Sequence, residues 1–403
     1  MKYTPCYVFL ILGTFSCPSA VNATPPRFKV IGLDTILNDS YGHAINDYGQ
    51  VVGIDGNNAF IWTPTIANGD TGTAIRLGTI PNAGTAAQAL GINDRGQVVG
   101  FGPSSAPFAA FLWTPTVANG TIGTMTNLGH IAGGSSSLAT GINSFGQVVG
   151  STFLPTETRA FLWTPTTRNE SIGVTTDLGS ISNLKDETFR IDINDRGQTT
   201  GTRRVSGGTS RAFIWTPTSP NGDSGVMVDL IASVGSLATS RGSAINAVGQ
   251  VVGRQIGGGL NSAQLWETTP EGMPSGVIDL GTLPGASYAH GTNDEGSVVG
   301  QITTGLETRA FLWTASNGML DLNTLLDDTR PGWLLNIAFD INATGQITGL
   351  GSFDPDGNGP IAAYSRAFLL TPVPESTSAL ILTGAFLVIQ MRRRHATIDP
   401  RSC

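Results

Sequence analysis

The run Asp354-Pro355-Asp356-Gly357-Asn358-Gly359 carries the side chains in this chain best spaced to hold a ligand. Asp354, Asp356 and Asn358 alternate and a glycine follows, as in the first half of a calcium loop, where hard oxygen donors converge on the ion. The closing acid of such a loop is missing, because the twelfth position is Ser365. The segment reads as a solvated turn, with calcium held by Asp354, Asp356 and Asn358 as the alternative. No other cofactor is indicated. His43 and His290 stand at the same place relative to a following Asn, which points to a structural position. The chain has no His-Glu-x-x-His, no Gly-x-Ser-x-Gly and no glycine-rich phosphate loop with its Lys, so it lacks the usual marks of hydrolase and nucleotide chemistry. The reading is non-enzymatic.

Arg159, Arg211, Arg309 and Arg366 each precede a hydrophobic phrase, twice within Glu-Thr-Arg. Pairing with Glu157 or Glu307 is expected; the alternative is that they line a channel and attract anionic sugars. Trp333 stands outside the phrases that hold the other six Trp, either beside a Pro-Gly turn or as a sugar-stacking platform.

Positioning these groups falls to a repeat. The phrase Asn-x-x-Gly recurs at Asn46, Asn93, Asn143, Asn194, Asn246, Asn293 and Asn342, at spacings of 47, 50, 51, 52, 47 and 49 residues. A second phrase keeps step with it: Ala59–Trp62, Ala110–Trp113, Ala160–Trp163, Ala212–Trp215, Ala263–Trp266, Ala310–Trp313 and Ala367–Leu370. Asn first and Gly fourth are what a type I turn followed by a left-handed residue demands, so the turn itself explains them better than a ring of ligands does. Phe and Trp on one face and Ala and Leu or Ile on the other make a strand apolar on both sides. Four short strands in about 49 residues, repeated seven times, give an all-β, seven-bladed β-propeller over residues 30–372. The small residues of Gln-Val-Val-Gly place that strand nearest the axis.

Charge narrows the partners. The formal charge is −7 and the basic residues are scattered, so the stripe that phosphate neutralisation needs is absent and nucleic acid is not expected. Residues 1–23 read as a signal peptide, with Lys2, an apolar run from Tyr7 to Phe15 and a small residue, Ala23, at the cleavage site. Near the other end, the apolar run Ala379–Met391 is followed at once by Arg392, Arg393 and Arg394, the form of a short transmembrane helix with a basic stop. Thirteen residues of helix span about 20 Å, short of the roughly 30 Å of hydrocarbon, which suits a transient anchor.

On these phrases the repeats resemble the HAF repeats of extracellular bacterial proteins, although the His naming that family is replaced by Asn58, Ala109, Arg159, Arg211, Ser262, Arg309 and Arg366. Residues 373–394 resemble a PEP-CTERM sorting signal through Val373, Pro374 and Glu375, the apolar helix, and Arg392, Arg393 and Arg394; Ser376 replaces the second proline, and residues 395–403 form an added tail. The resemblance implies export in a Gram-negative bacterium, a transient inner-membrane anchor and processing by an exosortase-type sorting enzyme. It implies a cell-surface or extracellular protein that binds or scaffolds exopolysaccharide or protein partners. A propeller-type glycan lyase or hydrolase is the alternative.

Overall fold

Each repeat folds as the alternation of its phrases requires. In the first, strands Ser40–Ile45, Val51–Asp55, Asn58–Pro64 and Gly72–Arg76 pair antiparallel in that order. The Asn46 turn joins the first two strands, with Gly49 in the left-handed region at φ 86°. A computed structural model describes residues 24–374, apart from 34–38, 82–83, 85, 104–107, 182–189, 206–207, 231–238, 258–259, 282, 328–330, 358 and 360. Among the described residues there are seven such four-stranded sheets, here called blades 1 to 7 after Asn46, Asn93, Asn143, Asn194, Asn246, Asn293 and Asn342. Helix among the described residues is limited to one 3-10 turn, Leu322–Thr324. The signal peptide, Glu375, Arg392, Arg393, Arg394, the apolar run and the tail lie outside the described residues.

Closure involves both ends of the domain. Strand Phe28–Gly32 is the outermost strand of blade 7, pairing antiparallel with Tyr364–Pro372 so that Phe28 faces Pro372 and Gly32 faces Phe368. The propeller therefore begins at Phe28, and the last blade is completed by the first strand.

Burial explains why the blades stack. Phe111 and Trp113 of blade 2 pack on Ala59 and Ile61 of blade 1, and Phe60 and Trp62 of blade 1 pack on Ala367 and Leu369 of blade 7. The same contact of Phe and Trp with the Ala and Leu or Ile of the preceding blade recurs round the ring, with Gln264 in place of Phe in blade 5 and Leu370 in place of Trp in blade 7. Fully burying one such side chain stabilises by about 1.5–3 kcal/mol.

The innermost strand is the one before the Asn turn, and this corrects the assignment of Gln-Val-Val-Gly to the axis. Strands such as Ser40–Ile45, Gln88–Ile92 and Ser136–Ile142 touch their counterparts in neighbouring blades, while the Val-Val strand lies second. Glycine marks the crowding: a Cβ on Gly91 would meet the Thr140 carbonyl of the next blade at 2.9 Å, and one on Gly291 the Phe339 carbonyl at 2.8 Å. Both strands are rich in small residues, so size alone did not tell them apart.

Candidate functional site

The repeated Asn does more than shape its turn. Asn46 Oδ1 accepts from the Gln50 amide at 2.9 Å, while Asn46 Nδ2 donates across the blade boundary to the Asn93 carbonyl at 3.0 Å. Asn93 donates in the same way to Asn143, Asn143 to Asn194, Asn194 to Asn246, Asn246 to Asn293 and Asn293 to Asn342. Asn342 donates to the Asn46 carbonyl at 3.1 Å and closes a belt of seven bonds. The Gln of the repeat adds a second tie: Gln50 Nε2 donates to Asn119 O of blade 2 at 3.2 Å, and Gln346 Nε2 to Asn68 O of blade 1 at 3.1 Å. Asn68 and Asn119 hold positive φ (57° and 58°), which presents their carbonyls to these donors.

Inside the belt lies one mouth of the axial channel, a cavity of about 180 Å³ floored by Ile45, Ile92, Ile142, Ile193, Thr292 and Ile341. Asp47, Asp94, Asp195 and Asp294 rim it. Each accepts from the amide of the preceding blade's turn: Ala343 to Asp47, Asp47 to Asp94, Ser144 to Asp195 and Ala247 to Asp294. Partial burial raises the pKa of the Asp94 carboxyl; the Asp47 amide opposes this, and the other three carboxylates add to it.

Beyond the isoleucine collar, a β-bulge in six of the seven inner strands turns a side chain out of the ladder. His43 of blade 1, Leu90 of blade 2, Thr140 of blade 3, Ser243 of blade 5, His290 of blade 6 and Phe339 of blade 7 sit at these register shifts. Three of them meet across the axis: the rings of His43 and His290 each lie 5.5 Å from that of Phe339. Arg190 of blade 4 crosses the channel, lying 5.5 Å from the Phe339 ring centroid and donating to the His43 carbonyl at 3.2 Å. Burial first, and the Arg190 charge second, bring His43 down to about 3. Burial likewise brings His290 down to about 4, partly opposed by its bond to Gln301.

Two buried carboxyls complete the lining. Asp340 accepts from Ile45 N of blade 1 and from Ile341 N, both at 2.9 Å, and burial raises it to about 7. Asp192 accepts from Ile245 N of blade 5 at 3.0 Å and also from Ile193 N, and burial raises it to about 6. A carboxyl holding two backbone amides is engaged in fastening blade 4 to blade 5, or blade 7 to blade 1. It is poorly placed to activate water.

Of the residues singled out in the sequence, Arg159 pairs with Glu157 and Asp177, both at 2.8 Å, and Arg309 with Glu307 and Asp321, both at 3.2 Å. Both lie toward the rim. Arg366 lies over the Phe353 ring at 5.7 Å. Trp333 stacks on Phe353 at 4.9 Å within its own blade, while the six Trp of the repeat are buried. Asp354 Oδ1 accepts from the Gly357 amide at 2.9 Å and Asp356 Oδ2 from the Ile361 amide at 3.0 Å; Asn358 lies outside the described residues. Among the described residues no three His, Cys, Asp or Glu side chains gather where a metal could sit. Val373 donates its amide to the Arg27 carbonyl at 2.8 Å, and Pro374 ends the described chain.

Arg190, Asp192 and Asp340 were not singled out from the sequence. A signal existed for two of them: Asp192 and Asp340 stand two residues before the turn Asn, where five other repeats carry Ala44, Gly91, Gly141, Ala244 and Gly291.

Fold and site together define a seven-bladed propeller with a belted mouth and a channel filled from opposite blades. No family model and no curated protein matches the chain. Among solved structures it is similar to a protein of unknown function from Dyadobacter fermentans, at 10% identity and TM-score 0.39, covering 86% of this chain and 99% of that one. It is similar to a gluconolactonase from Xanthomonas campestris, at 11% identity and TM-score 0.38, covering 87% and 95%. It is also similar to Sqt1 from Chaetomium thermophilum, at 9% identity and TM-score 0.42, covering 85% and 100%. Likeness at this level carries no argument about activity.

Proposed function

We propose that this chain is an exported, non-enzymatic surface or matrix protein, a rigid propeller that binds or scaffolds exopolysaccharide or protein partners. The observation that carries this reading is the use of the repeated polar groups. The seven Asn form the interblade belt, the four mouth Asp hold amides, and Asp192 and Asp340 hold two amides each. Side chains so placed serve rigidity, and a rigid ring with variable loops is a display platform. A glycan lyase or hydrolase would need a free carboxyl pair in the cleft, and the buried pair already engaged with amides lends that alternative no support.

The two ends supply the destination. Residues 1–23 direct export, and Val373, Pro374, Glu375, Arg392, Arg393 and Arg394 serve an exosortase-type enzyme after a transient inner-membrane stage. The test is binding of the purified protein to a panel of exopolysaccharides, with and without calcium, alongside an assay for new reducing ends. Binding without turnover is expected. Calcium-dependent binding lost on Asp356→Ala would add the ion at the 354–359 loop. Turnover, or the absence of any binding, overturns the proposal.

A further inference from the structure

A second cleft opens on the belted face, at the boundary between blades 2 and 3. It holds about 420 Å³ and is lined by Asp94 and Arg95 of blade 2 and by Ser144, Arg168, Asn169 and Glu170 of blade 3. That lies within the roughly 300–1,000 Å³ of small-molecule sites. Asp94 and Ser144 also border the axial mouth, so the two cavities adjoin.

Two guanidinium groups and two carboxylates thus share one cleft, and among the described residues no ion pair joins them across it. Arg95 and Glu170, both exposed, make no side-chain hydrogen bond or ion pair among the described residues. Arg168 is held in place: its Nε and Nη2 donate to the Ser144 carbonyl at 3.3 and 3.2 Å, which leaves Nη1. Asp94 Oδ1 accepts from the Asp47 amide at 2.9 Å, which leaves Oδ2.

The lining departs from the repeat where the charges sit. Blades 1, 2 and 4 carry Ala67-Asn68-Gly69, Ala118-Asn119-Gly120 and Pro220-Asn221-Gly222 in this loop, whereas blade 3 carries Arg168-Asn169-Glu170. The loop keeps its shape. Asn169 holds φ 65° against 58° at Asn119, and Glu170 N donates to the Thr167 carbonyl at 3.0 Å as Gly120 N does to that of Val117 at 2.9 Å. In that shape a Cβ on Gly120 would stand 2.9 Å from the Val117 carbonyl, and one on Gly69 3.0 Å from that of Ile66. Glu170 therefore carries a crowded Cβ and gains no side-chain hydrogen bond or ion pair in return. A local rule broken without a structural return marks a functional position.

We infer that this cleft binds a small zwitterion, an ammonium and a carboxylate on one short peptide-like backbone. Its carboxylate is taken by the Arg95 guanidinium and Arg168 Nη1, and its ammonium by Glu170 and Asp94 Oδ2. A lone anion or a lone cation would leave the opposite pair of charges unanswered. The site goes beyond the display role and does not depend on it.

Calorimetric titration of the purified protein with alanyl-alanine, N-acetyl-alanyl-alanine, alanyl-alanine amide and free alanine tests it. The dipeptide should bind, and capping either its amine or its carboxylate should weaken binding about tenfold or more, as expected for losing a hydrogen bond between charged groups. Free alanine carries the same two charges, and its affinity relative to the dipeptide tells an amino-acid site from a peptide site. Glu170→Gln should weaken the dipeptide about tenfold and leave the acetylated peptide unaffected; Arg95→Gln should do the same for the dipeptide and the amide. Glu170→Gly, which restores the loop of the other blades, should lose binding while Tm stays level or rises, a combination that a structural Glu170 would not give. No binding by either zwitterion overturns the inference, as does equal binding of a capped peptide, indifference to Glu170→Gln and Arg95→Gln, or a lower Tm in Glu170→Gly. The capped peptides need no variant, so they decide the matter even if a substitution misfolds. Exopolysaccharide binding is measured separately, and none of these outcomes alters it.

Discussion

Replacing Gln264 by Phe should make the protein more stable. Six blades place a buried Phe here, Phe60, Phe111, Phe161, Phe213, Phe311 and Phe368, against the preceding blade, and blade 5 alone has Gln264, fully buried. Strand register puts Gln255 opposite Ser262, hence on the same face as Gln264, and Thr202 opposite Ala212 on the blade 4 face that meets them. Gln264 Nε2 donates to Ser262 Oγ at 3.0 Å, but Gln264 Oε1, both amide atoms of Gln255 and Thr202 Oγ1 have no hydrogen-bond partner among the described residues. Removing one unsatisfied buried acceptor recovers about 1–3 kcal/mol, and burying the aromatic ring adds about 1.5–3 kcal/mol. Against this stand the orphaned Ser262 hydroxyl and some overpacking, each about 1 kcal/mol or more. The net gain is about 2 kcal/mol. At about 2.1 cal/mol/K per residue, a propeller of roughly 345 residues has an unfolding entropy near 0.7 kcal/mol/K, so Tm should rise by about 3 °C. Scanning calorimetry on Gln264→Phe, with the near-isosteric Gln264→Met as a second variant and Phe213→Gln as the inverse control, measures it. If neither substitution at 264 raises Tm while Phe213→Gln lowers it, the seam between blades 4 and 5 is satisfied by other means and the reasoning fails.

The belt makes a graded prediction: Asn143→Asp keeps the turn acceptor and loses the interblade donor, costing about 1–2 kcal/mol by chemical denaturation, and Asn143→Ala, which loses both, should cost about twice that. Asp340 and Asp192 set a pH dependence. Their folded pKa values, about 7 and about 6, lie above the ordinary 3.8, so the stability they contribute is full below that value and is lost as pH rises through 6 and 7. His43 and His290, lowered from 6.5, act oppositely, their contribution being present above 6.5 and lost as pH falls toward 4 and 3. Between pH 4.5 and 8 the two effects nearly cancel, so stability should be nearly flat there; Asp340→Asn, which removes one of the two falling contributions, should leave stability rising from about pH 4.5 to 7, and a profile as flat as the parent's would refute the assignment. At the rim, Glu307→Gln should leave Tm unchanged within error, because exposed ion pairs contribute little.

The repeat was legible because packing and turn chemistry act within a few residues of one another. Asn46 and Gly49 announce a turn, and the phrase Ala59–Trp62 announces a strand buried on both faces. The glutamates expected beside Arg159 and Arg309 are their partners, since two residues along a strand bring side chains to one face. The axis was not legible. Which strand lies innermost depends on how whole blades approach one another, and Gly42 and Gly53 look equally suited to it. The cluster of Arg190, His43, His290 and Phe339 joins four blades, so no local spacing encodes it. The second use of the turn Asn was hidden for a different reason, because one amide serves the turn through its oxygen and the neighbouring blade through its nitrogen.

The pairing of Phe28–Gly32 with Tyr364–Pro372 has a consequence for biogenesis. The first strand to leave the ribosome is used last, so the sheet it completes does not exist until more than three hundred further residues have been made. Until then each growing intermediate presents raw strand edges and the greasy flank of its newest blade, both prone to sticking to other chains. A chain ending before Tyr364 would never lose them, and degradation or aggregation, more than a shortened but working domain, is its natural fate.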